Sequence, residues 1–105
     1  LWLIDHGAAL YFHFGWPRRS PDPQRYAAQP FDASGHVLAD VGPPAGAVHD
    51  EAVAALTPEA LAAIVDTVPE KWLETTDWLP DTDAVRAAYL DHLAARLANP
   101  TAWLS

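Results

Sequence analysis

The stretch LWLIDHG (residues 1–7) carries an apolar run directly into an acidic residue and a glycine. The run Leu1–Ile4 predicts a short strand, and an acid that follows it projects a carboxylate past the strand end. Gly7 then permits a turn at φ values that other residues resist. A carboxylate held in this way can bind a metal ion. On these residues alone, the simpler interpretation of Asp5 is an ordinary acidic residue in a turn.

A longer stretch, LWLIDHGAALYFH (residues 1–13), closely resembles the metal-site segment of the HipA-like kinase family of bacteria. In protein-kinase-like enzymes the corresponding turn is Asp-Phe-Gly, whose Asp ligates the Mg²⁺ that bridges the ATP phosphates. The resemblance implies that Asp5 is the catalytic metal ligand and that His6 and Gly7 complete the cofactor-binding turn. His6 stands where the family usually has Phe, so we expect it to pack. The similarity is looser in the middle and moderate at residues 68–73 and 102–104.

The resemblance also implies a function and an architecture. It predicts ATP- and Mg²⁺-dependent phosphoryl transfer to a protein or small-molecule acceptor. In such kinases the Gly-rich loop, the ATP-positioning Lys and the catalytic Asp and Asn all precede the Asp-x-Gly turn. We therefore expect residues 1–105 to be a single partial domain, the C-terminal lobe of a protein-kinase-like fold that is α+β in the intact protein and inactive as this fragment alone.

Amino-acid composition and net charge argue against several classes of protein and of binding partner. Half of the residues are hydrophobic, which is enough for a core. The formal net charge of −8 argues against nucleic-acid binding. The absence of cysteine removes disulfides and thiolate metal sites and suits a cytoplasmic protein. No apolar run approaches the ~20 residues of a membrane span.

Three segments follow from the local patterns: residues 1–16 with two short strands (Leu1–Ile4 and Leu10–Phe14) around the metal turn, a Pro/Gly-rich loop over 17–48, and a helical part over 49–105. We expect the helices to be confined to residues after about 46. The predicted fold class is mainly α with a small N-terminal β element. Exposed apolar edges at the two strands would permit self-association.

Capping residues and apolar spacing locate the helices. The predicted helices are Asp50–Ala55, a helix from the N-cap Thr57 to Asp66, and a short helix from Pro69 to Leu73. The longest runs from Thr82 to Ala98 with Asp81 or Thr82 as its cap, and a last turn starts at Pro100. On the longest helix the expected inward stripe is Val85, Tyr89, Leu93 and Leu97 with Leu90, and the expected outward residues are Arg86, Asp91 and Arg96. His92 beside the stripe is expected to be structural.

Several other side chains are compatible with functions other than a kinase. Asp5, His6 and His13 would form a metal-dependent hydrolase site if they converged, a minority hypothesis because no compact zinc-ligand spacing supports it. Arg18 and Arg19 would suit a phosphate, but a solvated loop edge is the simpler interpretation. Trp72, Trp78 and Trp103 are expected to be core or interface residues. If they are exposed, a non-enzymatic helical interaction module becomes the main alternative to a kinase.

Overall fold

A computed structural model describes residues 10–32, 34–35, 37, 40–41 and 46–102, and 59% of these residues are helical. The α-helices are α1 (Pro23–Ala27), α2 (Gly46–Ala55), α3 (Pro58–Asp66) and α4 (Thr82–Leu97), with 3-10 turns at Phe12–Gly15, Glu70–Trp72 and Pro100–Ala102. No strand occurs in this part of the chain. The prediction of a mainly α fold is confirmed.

The β element predicted at Leu10–Phe14 is wrong. The chain forms a 3-10 turn at Phe12–Gly15, in which the amide of Phe14 donates to the carbonyl of Tyr11 at 3.2 Å. Aromatic residues favour any half-buried surface, and here the turn places Phe12 against Tyr26 of α1 and His92 of α4 instead of a neighbouring strand. The other predicted strand, Leu1–Ile4, lies outside the residues that the structure describes.

The expectation that helices occur only after about residue 46 is also wrong, because α1 lies inside the predicted Pro/Gly-rich loop. Asp22 is the N-cap of α1, its carboxylate accepts from the amide of Arg25 at 3.0 Å, and Pro23 occupies the first helical turn. This is the capping pattern that correctly predicted α3, where the Thr57 hydroxyl accepts from the amide of Ala60 at 3.2 Å. Helix α2 begins at Gly46 and is therefore longer than predicted.

Helix α4 lies against both α1 and α3 and contributes three buried residues to the core. Its cap is Asp81, whose carboxylate accepts from the amide of Ala84 at 2.8 Å, as predicted. The buried face differs from the predicted stripe: Val85, Ala88 and His92 are buried, whereas Tyr89, Leu93 and Leu97 are partly exposed. The other buried apolar residues of the described ranges are Trp16, Ala27, Leu61, Val65, Leu73 and Leu79.

The sequence predicts that the arginines of α4 point outward into solvent, and this prediction is wrong. Arg86 donates through Nη1 to the carbonyls of Val65 and Val68, both at 3.0 Å, at the end of α3. Arg96 donates through Nη1 to the carbonyls that end α1, namely those of Tyr26 at 3.3 Å, Ala27 at 3.2 Å and Gln29. Each guanidinium thus adds a charged donor to carbonyl groups at or just after a helix end, where regular intrahelical hydrogen bonds stop.

Within the described part of the chain, no helix combines the length and the apolar character needed to cross a bilayer.

Replacement of Arg96 by Ala should lower the free energy of unfolding by about 1–3 kcal/mol, because buried carbonyls at the end of α1 lose a charged donor. Arg96→Lys should recover only part of the loss, since one ammonium cannot reproduce the planar fork. Urea unfolding measures the change, with the exposed Arg18→Ala as the matched control. Equal stability of the Arg96→Ala and Arg18→Ala proteins would show that α1 is held in another way.

Candidate functional site

The residues of the predicted metal turn, Asp5, His6 and Gly7, lie outside the part of the chain that the structure describes. The description begins at Leu10, three residues after Gly7. The described residues that come next in the sequence show what the chain contacts after this predicted turn.

Phe12 is the centre of an aromatic cluster that ties the segment after the turn to two helices. Its ring stacks on His92 of α4, with centroids 4.7 Å apart and planes 15° apart. It also packs on Tyr26 of α1 at 4.6 Å and on Trp16 at 5.7 Å. Trp16 is 5% exposed. Aromatic pairs at such distances add to the stabilisation from burial, so this segment is held firmly against the helical core.

His92 has a structural role, as the sequence predicted. It is only 2% exposed, and its Nδ1 lies 2.7 Å from the carbonyl oxygen of Ala88. Because a carbonyl can only accept, Nδ1 must carry the proton in this hydrogen bond. The bond satisfies the buried ring and fixes its orientation under Phe12.

His13 lies on the other side of the cluster and is buried at one ring nitrogen. Its Nδ1 has no hydrogen-bond partner among the described residues. Burial lowers the pKa of His13, and the carboxylate of Glu74 opposes that shift. The ring borders a cavity of about 60 Å³ that Thr76 and Tyr89 also line, and a cavity of this size holds a water molecule.

This position of His13 bears on the hydrolase hypothesis. The partners proposed for His13, Asp5 and His6, lie outside the described residues. Within the described ranges, no group of three or more His, Asp or Glu side chains lies close enough to hold a metal ion.

A cleft of about 430 Å³ opens between the turn Phe12–Gly15 and helix α1. Phe12, Trp16 and His92 contribute its aromatic base, and the hydroxyl of Tyr11 donates to the amide oxygen of Gln29 at 3.3 Å beside it. We call it the Arg19–Arg25 cleft, because these two arginines line it.

The three arginines of the middle segment differ in whether they line this cleft. All three arginines are exposed, but only Arg19 and Arg25 line the cleft, and Arg18 does not. The sequence singled out Arg18 and Arg19 but not Arg25, whose position depends on α1. The Asp22-Pro23 capping pattern was the signal that would have placed it.

The tryptophans were predicted to be core or interface residues, and the structure excludes the core for the two of them that it describes. Trp72 is 68% exposed and Trp78 is 52% exposed, so neither is a core residue. Trp103 lies outside the described residues. Among the described tryptophans, Trp16 is the buried one, and the sequence predicts no role for it.

No family model matches the chain, and neither a curated protein nor a solved structure matches it. The resemblance to the HipA-like kinases therefore stays a prediction, carried by residues 1–13 and by the weaker similarities in the tail.

The buried position of His13 predicts a pH dependence of stability. Because its pKa is lower in the folded chain than the ordinary 6.5, the unfolded chain takes up a proton first as the pH falls. Stability is therefore lost from about pH 6.5 downward. His13→Phe should show a smaller loss of unfolding free energy between about pH 7 and pH 5 than the unchanged protein. Denaturant unfolding at both values measures this, and identical losses in the two proteins would contradict it.

Proposed function

We propose that this chain is the C-terminal part of a HipA-like kinase, which transfers the γ-phosphoryl group of ATP to a protein or small-molecule acceptor in the intact protein. The observation that carries the proposal is the stretch LWLIDHGAALYFH (residues 1–13), in which an apolar run, Asp5, Gly7 and the following aromatics occur in the order typical of that family. The chain alone is inactive in this proposal, because the nucleotide-binding and catalytic-loop residues of such kinases precede the Asp-x-Gly turn.

In the proposed mechanism, Asp5 is the charged ligand of the metal site. A carboxylate is the hard oxygen donor that Mg²⁺ prefers, so the chemistry of the donor fits the ion. Bound Mg²⁺ would neutralise charge on the phosphates during transfer. Gly7 permits the turn that directs the carboxylate, and His6 packs behind it.

The described structure supports the proposal through the segment that follows the turn. Phe12 is five residues after Gly7 in the sequence and stacks on His92 of α4. A metal ligand needs a rigid support so that its position is maintained during the reaction. The aromatic cluster supplies a rigid attachment on the C-terminal side of the turn.

In the intact protein, Asp5→Asn should reduce phosphoryl transfer to background while the fold is retained. The substitution keeps the size of the side chain but removes the charge that a hard cation requires. His6→Phe should be much milder, because packing and not chemistry is assigned to this position. The measurement is the transfer rate of ³²P from ATP at saturating Mg²⁺.

The matched control is Asp40→Asn, which removes one exposed carboxylate elsewhere in the chain. Full activity of the Asp5→Asn protein would exclude Asp5 as the metal ligand. A folded but inactive His6→Phe protein would assign a chemical role to His6.

A second candidate is a non-enzymatic helical interaction module. The exposure of Trp72 and Trp78 favours it, because large aromatic residues on a surface are typical of interfaces. Tyr11 and Phe14, which are 56% and 67% exposed, add apolar surface near the predicted self-association edge.

If these surfaces associate, the chain should form dimers or larger species at high concentration in sedimentation equilibrium. Trp72→Ser and Trp78→Ser should weaken that association several-fold, because each removes a large exposed apolar group. Phe14→Ser tests the other surface in the same way. A chain that remains monomeric at all concentrations would remove the support for self-association.

A further inference from the structure

The arginines of this chain fall into two classes according to what their guanidinium groups contact. Arg86 and Arg96 donate to backbone carbonyls at helix ends. The side chains of Arg19 and Arg25 make no hydrogen bond or ion pair with any described residue, yet both line one cleft. Guanidinium groups collected in a concave surface without protein acceptors are suited to bind an external anion.

The Arg19 guanidinium lies close to the backbone of Gly15. A Cβ atom on residue 15 would lie 2.9 Å from Nε of Arg19 and 3.1 Å from its Nη2. The guanidinium therefore lies directly against the backbone of Gly15, in space that only glycine leaves open. The absence of a side chain at residue 15 leaves room for the charged group at the wall of the cleft.

The electrostatic balance of the cleft differs from that of the chain as a whole. The chain carries a formal net charge of −8. The cleft has two guanidinium groups and one carboxylate, that of Asp22. Asp22 already accepts from the amide of Arg25 at 3.0 Å as the cap of α1, so part of its hydrogen-bonding capacity is used within the protein.

The other residues that line the cleft combine aromatic rings with the polar side chains of Ser20 and Gln29. Phe12, Trp16 and Tyr26 contribute to its lining, and Phe14 adds a ring that is 67% exposed. Burial raises the pKa of Tyr26, against the opposing effect of Arg96, so its hydroxyl is neutral near pH 7. The cleft volume of about 430 Å³ is within the range of small-molecule sites.

We propose that the Arg19–Arg25 cleft binds a small aromatic phosphate monoester, with the two arginines on the phosphate and the aromatic side chains against the ring. A phosphate monoester presents three terminal oxygens and nearly two negative charges, so it accepts from two guanidinium groups. One guanidinium is sufficient for a carboxylate, which has two oxygens and a single charge. The inference does not depend on the proposed kinase function, since Asp5 has no part in it.

Phenyl phosphate is the probe, and isothermal titration calorimetry with the 105-residue chain measures its affinity. Benzoate, phenol and inorganic phosphate should each bind at least several-fold more weakly, because each lacks one feature that the cleft recognises. In ¹⁵N-resolved NMR spectra, the amides of Gly15, Arg25 and Tyr26 should shift on addition of phenyl phosphate.

Arg19→Ala and Arg25→Ala should each lower the affinity for phenyl phosphate about tenfold or more. Arg18→Ala is the matched control, because it removes the same charge beside the cleft but not in it. Its effect should stay within about twofold, as expected for a screened surface charge. Gly15→Ala should also weaken binding, since the new methyl group displaces the guanidinium of Arg19 while leaving the arginine present.

Three results would overturn the proposal. One is the absence of measurable binding of phenyl phosphate to the folded chain. Another is an equal loss of affinity in the Arg18→Ala and Arg19→Ala proteins, which would indicate diffuse attraction by surface charge. The third is inorganic phosphate binding as tightly as phenyl phosphate, which would exclude recognition of the ring. Circular dichroism melting confirms that each variant is folded before its affinity is compared.

Discussion

Hydrogen bonds from two arginines of α4 to the ends of shorter helices hold the described part of this molecule together. A helix of five residues, such as α1, has too few internal hydrogen bonds to be stable by itself, and its last carbonyls have no intrahelical partner. Arg96 supplies donors to three carbonyls at that end, and its guanidinium carbon also lies 5.4 Å from the centre of the Tyr26 ring. Arg86 does the same for α3. Each short helix is thereby fixed to the longest one.

The aromatic cluster depends on that arrangement. Tyr26 is carried by α1 and His92 by α4, so these two ring partners of Phe12 come together where Arg96 links the two helices. The segment that follows the proposed metal turn is therefore positioned by contacts far away in the sequence. In the proposed kinase, the same packing would support the site on its C-terminal side.

The two uses of arginine also explain how a strongly acidic chain forms a cationic cleft. Where a guanidinium meets backbone carbonyls, its donors are used within the fold, as in Arg86 and Arg96. Where it lies on an open wall, as Arg19 does over Gly15, its donors stay available to a ligand. The local charge of a site can thus be opposite in sign to the net charge of −8.

The sequence by itself determined the helices that begin with a capping residue, because capping involves only neighbouring backbone amides. For this reason the sequence predicts Thr57 and Asp81 as N-caps. Asp22 is an N-cap of the same kind, but the many prolines around it predict a loop instead of a helix. Tertiary structure alone decided the roles of the aromatic and basic side chains. Leu10–Phe14 has the composition of a strand but forms a turn, and Arg86 and Arg96 lie on a polar helix face but contact distant carbonyls. The partners of such residues are 18 to 70 positions away, and a local pattern contains no information about a contact at that separation.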